Sequence, residues 1–359
     1  MFSKKERAII SIKGSNIVMC VSLLVLSVLL SSCVGPAAVD PMVEARMEIE
    51  SADAVMGDWE GTWKLDDESD SGPVVTQVIA LGQGKYRAKV MGAFDTREEP
   101  IAVLDGQRDG ALVRFEGPGQ ADGTEFQIKA VINAGRFSGS FTGDASGSIL
   151  MEKVIRVSPT MGEKPPAGAV VLFNGKNFKQ WKHTGEKPDG DSVKWKLLNN
   201  GAMEVKKGNG SIVTKKKFND FKLHVEFRTP FMPDARGQGR GNSGVYLQER
   251  YEVQVLDSYG LEGKDNECGG IYKIGEPSVN MCAPPTQWQT YDITFYAPSA
   301  DRENAQVTVI HNGVTIHDAL KLPKPTGGAL DSDVNKPGGI YLQDHGNPVQ
   351  YRNIWLVEL

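Results

Sequence analysis

From Gly57 to the C-terminus the chain is patterned almost wholly in period two. Short runs alternate apolar and polar residues and are broken by Gly, Asp, Asn and Pro. Successive strand side chains point to opposite faces, so such runs bury one face only by pairing into sheets. The stretch GQGRGNSGVYLQERYEVQVLDSYG, residues 237–260, gives the pattern most clearly. A glycine-rich loop leads into two runs, 244–248 and 251–256, separated by Glu249 and Arg250. They read as the antiparallel strands of a tight hairpin. Alternation puts Asn242, Gly244, Tyr246 and Gln248 on one face and Ser243, Val245 and Leu247 on the other. Glu252 and Gln254 likewise oppose Val253, Val255 and Asp257. One face is apolar. The other is a row of amides, a phenol and a carboxylate, which suits a hydroxyl-rich ligand.

The pattern divides in two. Over 57–157, segments such as VVTQVIALG, KYRAKVMG and TEFQIKAVI sit between turn residues. Eight short strands predict a small antiparallel barrel or sandwich, an accessory domain with no evident catalytic pair. PTMGEKPPAG, within 158–168, predicts a proline-rich, semi-rigid linker. Over 169–359 the strand candidates are too many for an immunoglobulin-size sandwich and predict a two-sheet jelly roll. The turn in His311-Asn312-Gly313-Val314 is a strong hairpin signal within it. No P-loop, GxGxxG after a strand, GxSxG or HExxH occurs, so nucleotide, serine-hydrolase and zincin chemistries have no support.

The N-terminus has another logic. Lys4, Lys5, Arg7 and Lys13 precede a 14-residue apolar run, residues 17–30, too short to span a bilayer comfortably. Leu30-Ser31-Ser32-Cys33 then resembles a bacterial lipobox. The reading is a lipoprotein signal peptide over 1–32, lipidation at Cys33 and a tether over 33–56, with a short helix expected after Asp40 and Pro41. Val34 after the Cys favours the outer membrane, so the expected location is the cell envelope, facing periplasm or exterior. Loss of residues 1–32 takes the net charge from −5 to about −8, which argues against nucleic-acid partners. In the mature part only Cys268 and Cys282 could form a disulfide; they are too few for a framework.

A set of motifs spread in order over 169–359 is specific. It comprises Leu172-Phe173-Asn174-Gly175-Lys176 with Trp181, GNSGVYL with YEVQVLDSYG, Cys268-Gly269-Gly270-Ile271-Tyr272 and Trp288-Gln289-Thr290-Tyr291-Asp292. HNG follows, then Tyr341-Leu342-Gln343-Asp344-His345-Gly346 and Arg352-Asn353-Ile354-Trp355. On these motifs the region resembles the 3-keto-disaccharide hydrolase family, also described as a 3-keto-glucoside 1,2-lyase and 3-keto-2-hydroxy-glucal hydratase domain. The resemblance implies a concanavalin-A-like jelly roll that acts on 3-keto-glycosides. It leaves lyase, hydratase and net hydrolase undivided and does not cover the first domain.

Alternation through the C-terminal motif puts Tyr341, Gln343 and His345 on one face. With Tyr246, Gln248, Glu252 and Gln254 they would form one polar wall. A ketone at C3 of a glucosyl unit acidifies the C2 proton, so cleavage needs proton transfer and oxyanion stabilisation rather than a nucleophile. Glu252 and His345 are the expected acid and base. Asn242, Tyr246, Gln248, Gln254, Tyr341 and Gln343 are the expected substrate contacts. A divalent metal ion on Glu252 and His345 would suit the same chemistry, though no ligand spacing assigns one. His224 and His311 read as structural; His183 and His317 stay open. The competing readings are a carbohydrate-binding lectin-like module and a conventional two-carboxylate glycanase; the latter lacks a second acid beside Glu252.

Overall fold

A computed structural model describes residues 52–185 and 192–359. The signal segment, Cys33, the helix expected after Asp40 and most of the tether lie outside the described residues.

The first domain is a closed antiparallel barrel of eight strands in sequence order, with the first paired to the last. The strands are β1 (Gly57–Leu65), β2 (Ser71–Gly82), β3 (Lys85–Met91), β4 (Ala102–Asp109), β5 (Leu112–Ala121), β6 (Thr124–Asn133), β7 (Arg136–Gly143) and β8 (Gly147–Val154). Its turns follow from residue type: Asp122-Gly123 and Ala134-Gly135 all take positive φ in two-residue hairpins, whose twist matches that of the strands. Trp59, Val78, Leu104, Phe115 and Phe137 fill the interior, and closure leaves no open edge. The tether's end belongs to this unit. Val55 and Met56 are buried in the barrel core, and Asp53 accepts hydrogen bonds from Val55 N and Tyr86 Oη.

The second domain is the expected concanavalin-A-like jelly-roll sandwich. Its strands are β9 (Val170–Phe173), β10 (Trp181–His183), β11 (Lys196–Leu197), β12 (Met203–Glu204), β13 (Ile212–Thr214), β14 (Phe221–Arg228), β15 (Ser243–Leu247) and β16 (Tyr251–Val255). They continue with β17 (Gln289–Tyr296), β18 (Ala305–His311), β19 (Val314–Leu322), β20 (Tyr341–Leu342) and β21 (Gln350–Glu358). One sheet runs β10-β13-β20-β15-β16; the other runs β11-β12-β21-β14-β17-β18-β19, with β9 on β21. The inward faces carry Phe221, Val225 and Tyr291 from the large sheet against Val245, Val253 and Leu342 from the small one. Fully burying each such side chain is worth about 1.5–3 kcal/mol. Asn312 and Gly313 form the two-residue β18–β19 turn, both at positive φ.

The linker does not swing free. Thr160 Oγ1 donates to Asp292 Oδ2 at 2.6 Å, Gly162 N to Glu226 Oε1 at 2.7 Å, and Asn353 Nδ2 to Glu163 O at 2.9 Å. It is laid against the large sheet's outward face.

Candidate functional site

The outward face of the small sheet carries the polar wall. In the β15–β16 ladder Gly244 pairs with Gln254 and Tyr246 with Glu252; Tyr341 on β20 then pairs with Tyr246 from the other side. The two tyrosine rings lie 4.4 Å apart and, with Val213, form a small cluster separate from the main core. Gln343, just past β20, donates to Tyr246 Oη at 3.3 Å. At the glycine-rich loop, Asn242 Nδ2 and Gln254 Nε2 both donate to Gln238 Oε1, at 3.1 and 3.3 Å. The segment 326–328 crosses the wall's edge: Glu252 N donates to Thr326 Oγ1 at 2.9 Å, and Tyr246 Oη to Gly327 O at 2.8 Å.

Glu252 is the group with unusual chemistry. Its side chain is packed among rings, with the residue only 4% exposed. Burial pushes the carboxyl up to about 7, against the pull of the Tyr246 hydroxyl. A carboxyl held there can both take and return a proton near neutral pH. Tyr246 shifts upward too, through burial and then the nearby Glu252 charge, so it stays a hydrogen-bond donor. Gly244 makes room: a Cβ there would collide with Glu252 Oε1.

The wall thus gathers Asn242, Tyr246, Glu252, Gln254, Tyr341 and Gln343. Two expected members fall elsewhere. Gln248 is not on the face. β15 ends at Leu247, and Gln248 and Glu249 take positive φ in a three-residue turn. The Gln248 amide is buried there, donating to Phe218 O at 2.9 Å and accepting from Arg250 Nη1 at 3.0 Å, so it braces the turn. His345 lies beyond the end of β20 and is exposed. Alternation stops because the Asp344 carboxylate accepts from Gly210 N and Gly346 N, at 3.0 and 2.9 Å, and bends the chain. His345 is still bracketed by wall contacts: Gln343 bonds Tyr246, and Asn347 Oδ1 accepts from Asn242 N at 2.8 Å. Gln238 and the Thr326–Gly328 crossing were missed. Gln238 sits in a glycine-rich loop with no alternation, and the crossing comes from a stretch without strand pattern.

The remaining histidines have structural partners. His311 Nε2 pairs with Gln289 Oε1 at 2.8 Å, and burial holds the ring down at about 3. His183 and His317 bond the carbonyls of Asn209 and Gly269. Among the described residues, the one gathered set of three metal-ligand side chains is Glu163 of the linker with His224 and Asp292 of the large sheet. Two of its members are already engaged: His224 Nδ1 meets Asp292 Oδ1 at 2.6 Å, and Thr160 donates to the other Asp292 oxygen. Burial alone would lower the His224 pKa, but hydrogen bonds to Asp292 and Glu226 raise it to about 9. That arrangement fits an imidazolium clasp rather than a metal centre. The wall, with Glu252 as its carboxylate, gathers no comparable set for the divalent ion considered from sequence.

The family that the sequence matches makes this a carbohydrate-active enzyme. The chain belongs to the family of the 3-keto-alpha-glucoside-1,2-lyase-like domain, which matches residues 168–357. A solved structure from Parabacteroides distasonis ATCC 8503, named provisionally as a glycosyl hydrolase, is 39% identical over 54% of this chain and 85% of that one, with a TM-score of 0.48. A second from the same organism, named likewise, is 20% identical over 54% and 94%, with a TM-score of 0.40. A GH43 protein from Bacillus licheniformis is 9% identical over 79% and 65%, with a TM-score of 0.34. Scores this low leave the family membership resting on sequence. Among curated proteins, none matches the chain.

Proposed function

We propose that this chain is an exported, lipid-anchored enzyme that cleaves 3-keto-glycosides by proton transfer at Glu252. The observation that carries this reading is the carboxyl itself: buried opposite the Tyr246 phenol, on a face shared with amides, and pushed up to about 7 by that burial. Glu252 takes the C2 proton made acidic by the C3 ketone. The C1–O bond then breaks, its electron pair leaving with the aglycone oxygen, which gains a proton. The product is an unsaturated 3-keto sugar, and addition of water completes net hydrolysis. Asn242, Gln254 and Gln343 hold hydroxyls. His345, at the exposed end of a segment tied to the wall on both sides, serves the proton for the departing oxygen. Across the ladder Glu252 meets Tyr246 rather than an acid, and Asp257 is paired with Arg240 at 2.6 Å, so Asp257 does not act as the second carboxylate of an ordinary glycosidase.

The test is turnover of a 3-keto-glucoside beside the unoxidised glucoside, with product mass separating elimination from hydrolysis. Cleavage of the keto sugar alone, lost in Glu252→Gln, is expected. Equal cleavage of both sugars would make this a conventional glycosidase; binding of both without turnover would make it a lectin-like module. Anchoring is tested by Cys33→Ala, which should release the protein from the membrane fraction; retention after a high-salt wash would refute lipidation at Cys33.

A further inference from the structure

The barrel reaches the wall through one hairpin. Val78 and Ala80 point into the barrel, so Ile79 between them points out. It is buried with the sandwich core, against Gly260, where a Cβ would strike it. The carbonyls that follow serve the glycine-rich loop. Arg236 Nη2 donates to Leu81 O at 2.7 Å, and Arg240 Nη2 reaches Ala80 O at 3.5 Å. Gly82, at φ 83, lies so close to Asp234 that a Cβ would collide with its carboxylate. The β2–β3 hairpin is thus wedged between residues 234–240 and 260.

Those contacts frame the loop that supplies Gln238 and Asn242. Arg240 Nε pairs with Asp257 Oδ2 at 2.6 Å, both residues buried, and Asp257 N donates to Arg240 O at 3.1 Å. Asp257 lies just beyond β16, the strand of Glu252 and Gln254. A second tie runs from the same region into the barrel: Tyr259 Oη donates to Asp58 Oδ1 at 2.6 Å, and Asp58 pairs with Arg156 at 2.9 Å. The loop carries Gly237, Gly239 and Gly241, residues that lose the most backbone freedom on ordering. The sandwich holds the loop through Asn347, Asp257, Gln254 and Asn266, and the barrel adds the bonds of Arg236 and Arg240 to Leu81 O and Ala80 O.

We propose that the barrel is a splint for the substrate-binding loop: its β2–β3 hairpin fixes residues 236–242 so that Gln238 and Asn242 stay on the wall, with Arg236, Arg240 and Asp257 as positioning residues. The proposal rests on the wall being the substrate site. It gives the first domain a role that needs no ligand of its own.

The test uses the full chain and four variants. Ile79→Ala removes a side chain that points out of the barrel. Arg236→Ala removes an exposed side chain that donates to Leu81 O of the barrel and to Pro233 O and Ala235 O of its own segment, so it folds even if Ile79→Ala does not. Arg240→Lys keeps the charge but loses the guanidinium geometry. Val103→Ser, at an exposed barrel position, is the control. Amide exchange at 236–242 is expected to quicken about tenfold or more in the first three and not in the control, while the rest of the sandwich is unchanged. KM for the 3-keto-glucoside should rise about fivefold or more with kcat nearly kept, because Glu252 sits on β16 and not on the loop. Exchange in the loop that matches wild type, or that rises only with the whole domain, overturns the splint. The exchange measurement needs no turnover, so failure of the 3-keto-glycoside reading would be seen separately.

Discussion

Tyr246 and Glu252 stand directly opposite each other on the β15–β16 ladder, so the phenol ring that buries the carboxylate is its own cross-strand neighbour. Opposite residues in a ladder approach within about 5.5 Å, and nothing flexible separates them. The perturbation of Glu252 is therefore built into the sheet.

Glu252→Gln should split activity from stability. Burial raises the carboxyl from its ordinary value of 4.5 to about 7. A group raised in the folded state contributes its stability in full below the unfolded value and loses it as pH rises through the folded one. Wild type should lose up to roughly 3 kcal/mol across that window, from about pH 4.5 to 7, and Gln should not. Denaturant midpoints at about pH 4.5 and pH 8 would measure it; wild-type turnover should rise through about pH 7 and fall roughly 10²–10⁴-fold in the variant. A variant no more stable than wild type at the higher pH would contradict the burial argument.

Gly244→Ala should damage the wall while sparing the fold. The new Cβ meets Glu252 Oε1 and lies 3.0 Å from Tyr246 Cε2. Overpacking of this kind costs about 1–3 kcal/mol, and the carboxylate is the part free to move. Turnover should drop at least tenfold and the pH midpoint of activity should fall as the carboxyl is pushed toward water. An unchanged pH profile would mean that the carboxylate had not moved.

Cys268 and Cys282 should be free thiols that resist labelling. Both are fully enclosed, and Cys268 Sγ lies 3.2 Å from Tyr291 Oη. A thiol reagent reaches them only when the sandwich opens, so the labelling rate should track unfolding rather than reagent access. Fast reaction in the native protein, or a mass showing both thiols oxidised, would refute this.

What was legible from sequence followed from period two. Alternation alone placed Tyr246, Glu252, Gln254, Tyr341 and Gln343 on one face, because those residues lie in or directly beside paired strands. It failed where pairing stopped. Gln248 was read one residue too far, since Leu247 ends the strand and two non-glycine residues accept positive φ at the turn. His345 was carried along a strand that Asp344 had already bent. Neither event leaves a periodic trace. Gln238, exposed on its loop, is held by Asn266 O and by Gln254, both distant in the chain, and such contacts are not encoded locally.

The linker clasp should open with alkali. The His224 pKa is raised to about 9 because the hydrogen bonds to Asp292 and Glu226 outweigh burial, while Glu226 is held down at about 2. Burial alone would raise Glu226, but the His224 hydrogen bond and the Arg352 charge lower it. For the imidazole, raised when folded, stability is complete below about pH 6.5 and is lost as pH climbs through about 9. For the carboxylate, lowered when folded, stability is present above about 4.5 and lost only as pH falls through about 2. Between those windows the imidazolium and the Glu226 carboxylate are both charged. Asp292 and Glu226 then accept from Thr160 and Gly162 and hold the linker down. Proteolysis between Gly162 and Gly168 should therefore be slow at neutral pH and quicken as pH rises through about 9. His224→Gln should be cut quickly at neutral pH and show a flatter dependence. A linker cut equally fast in both proteins at neutral pH would mean that the clasp contributes nothing.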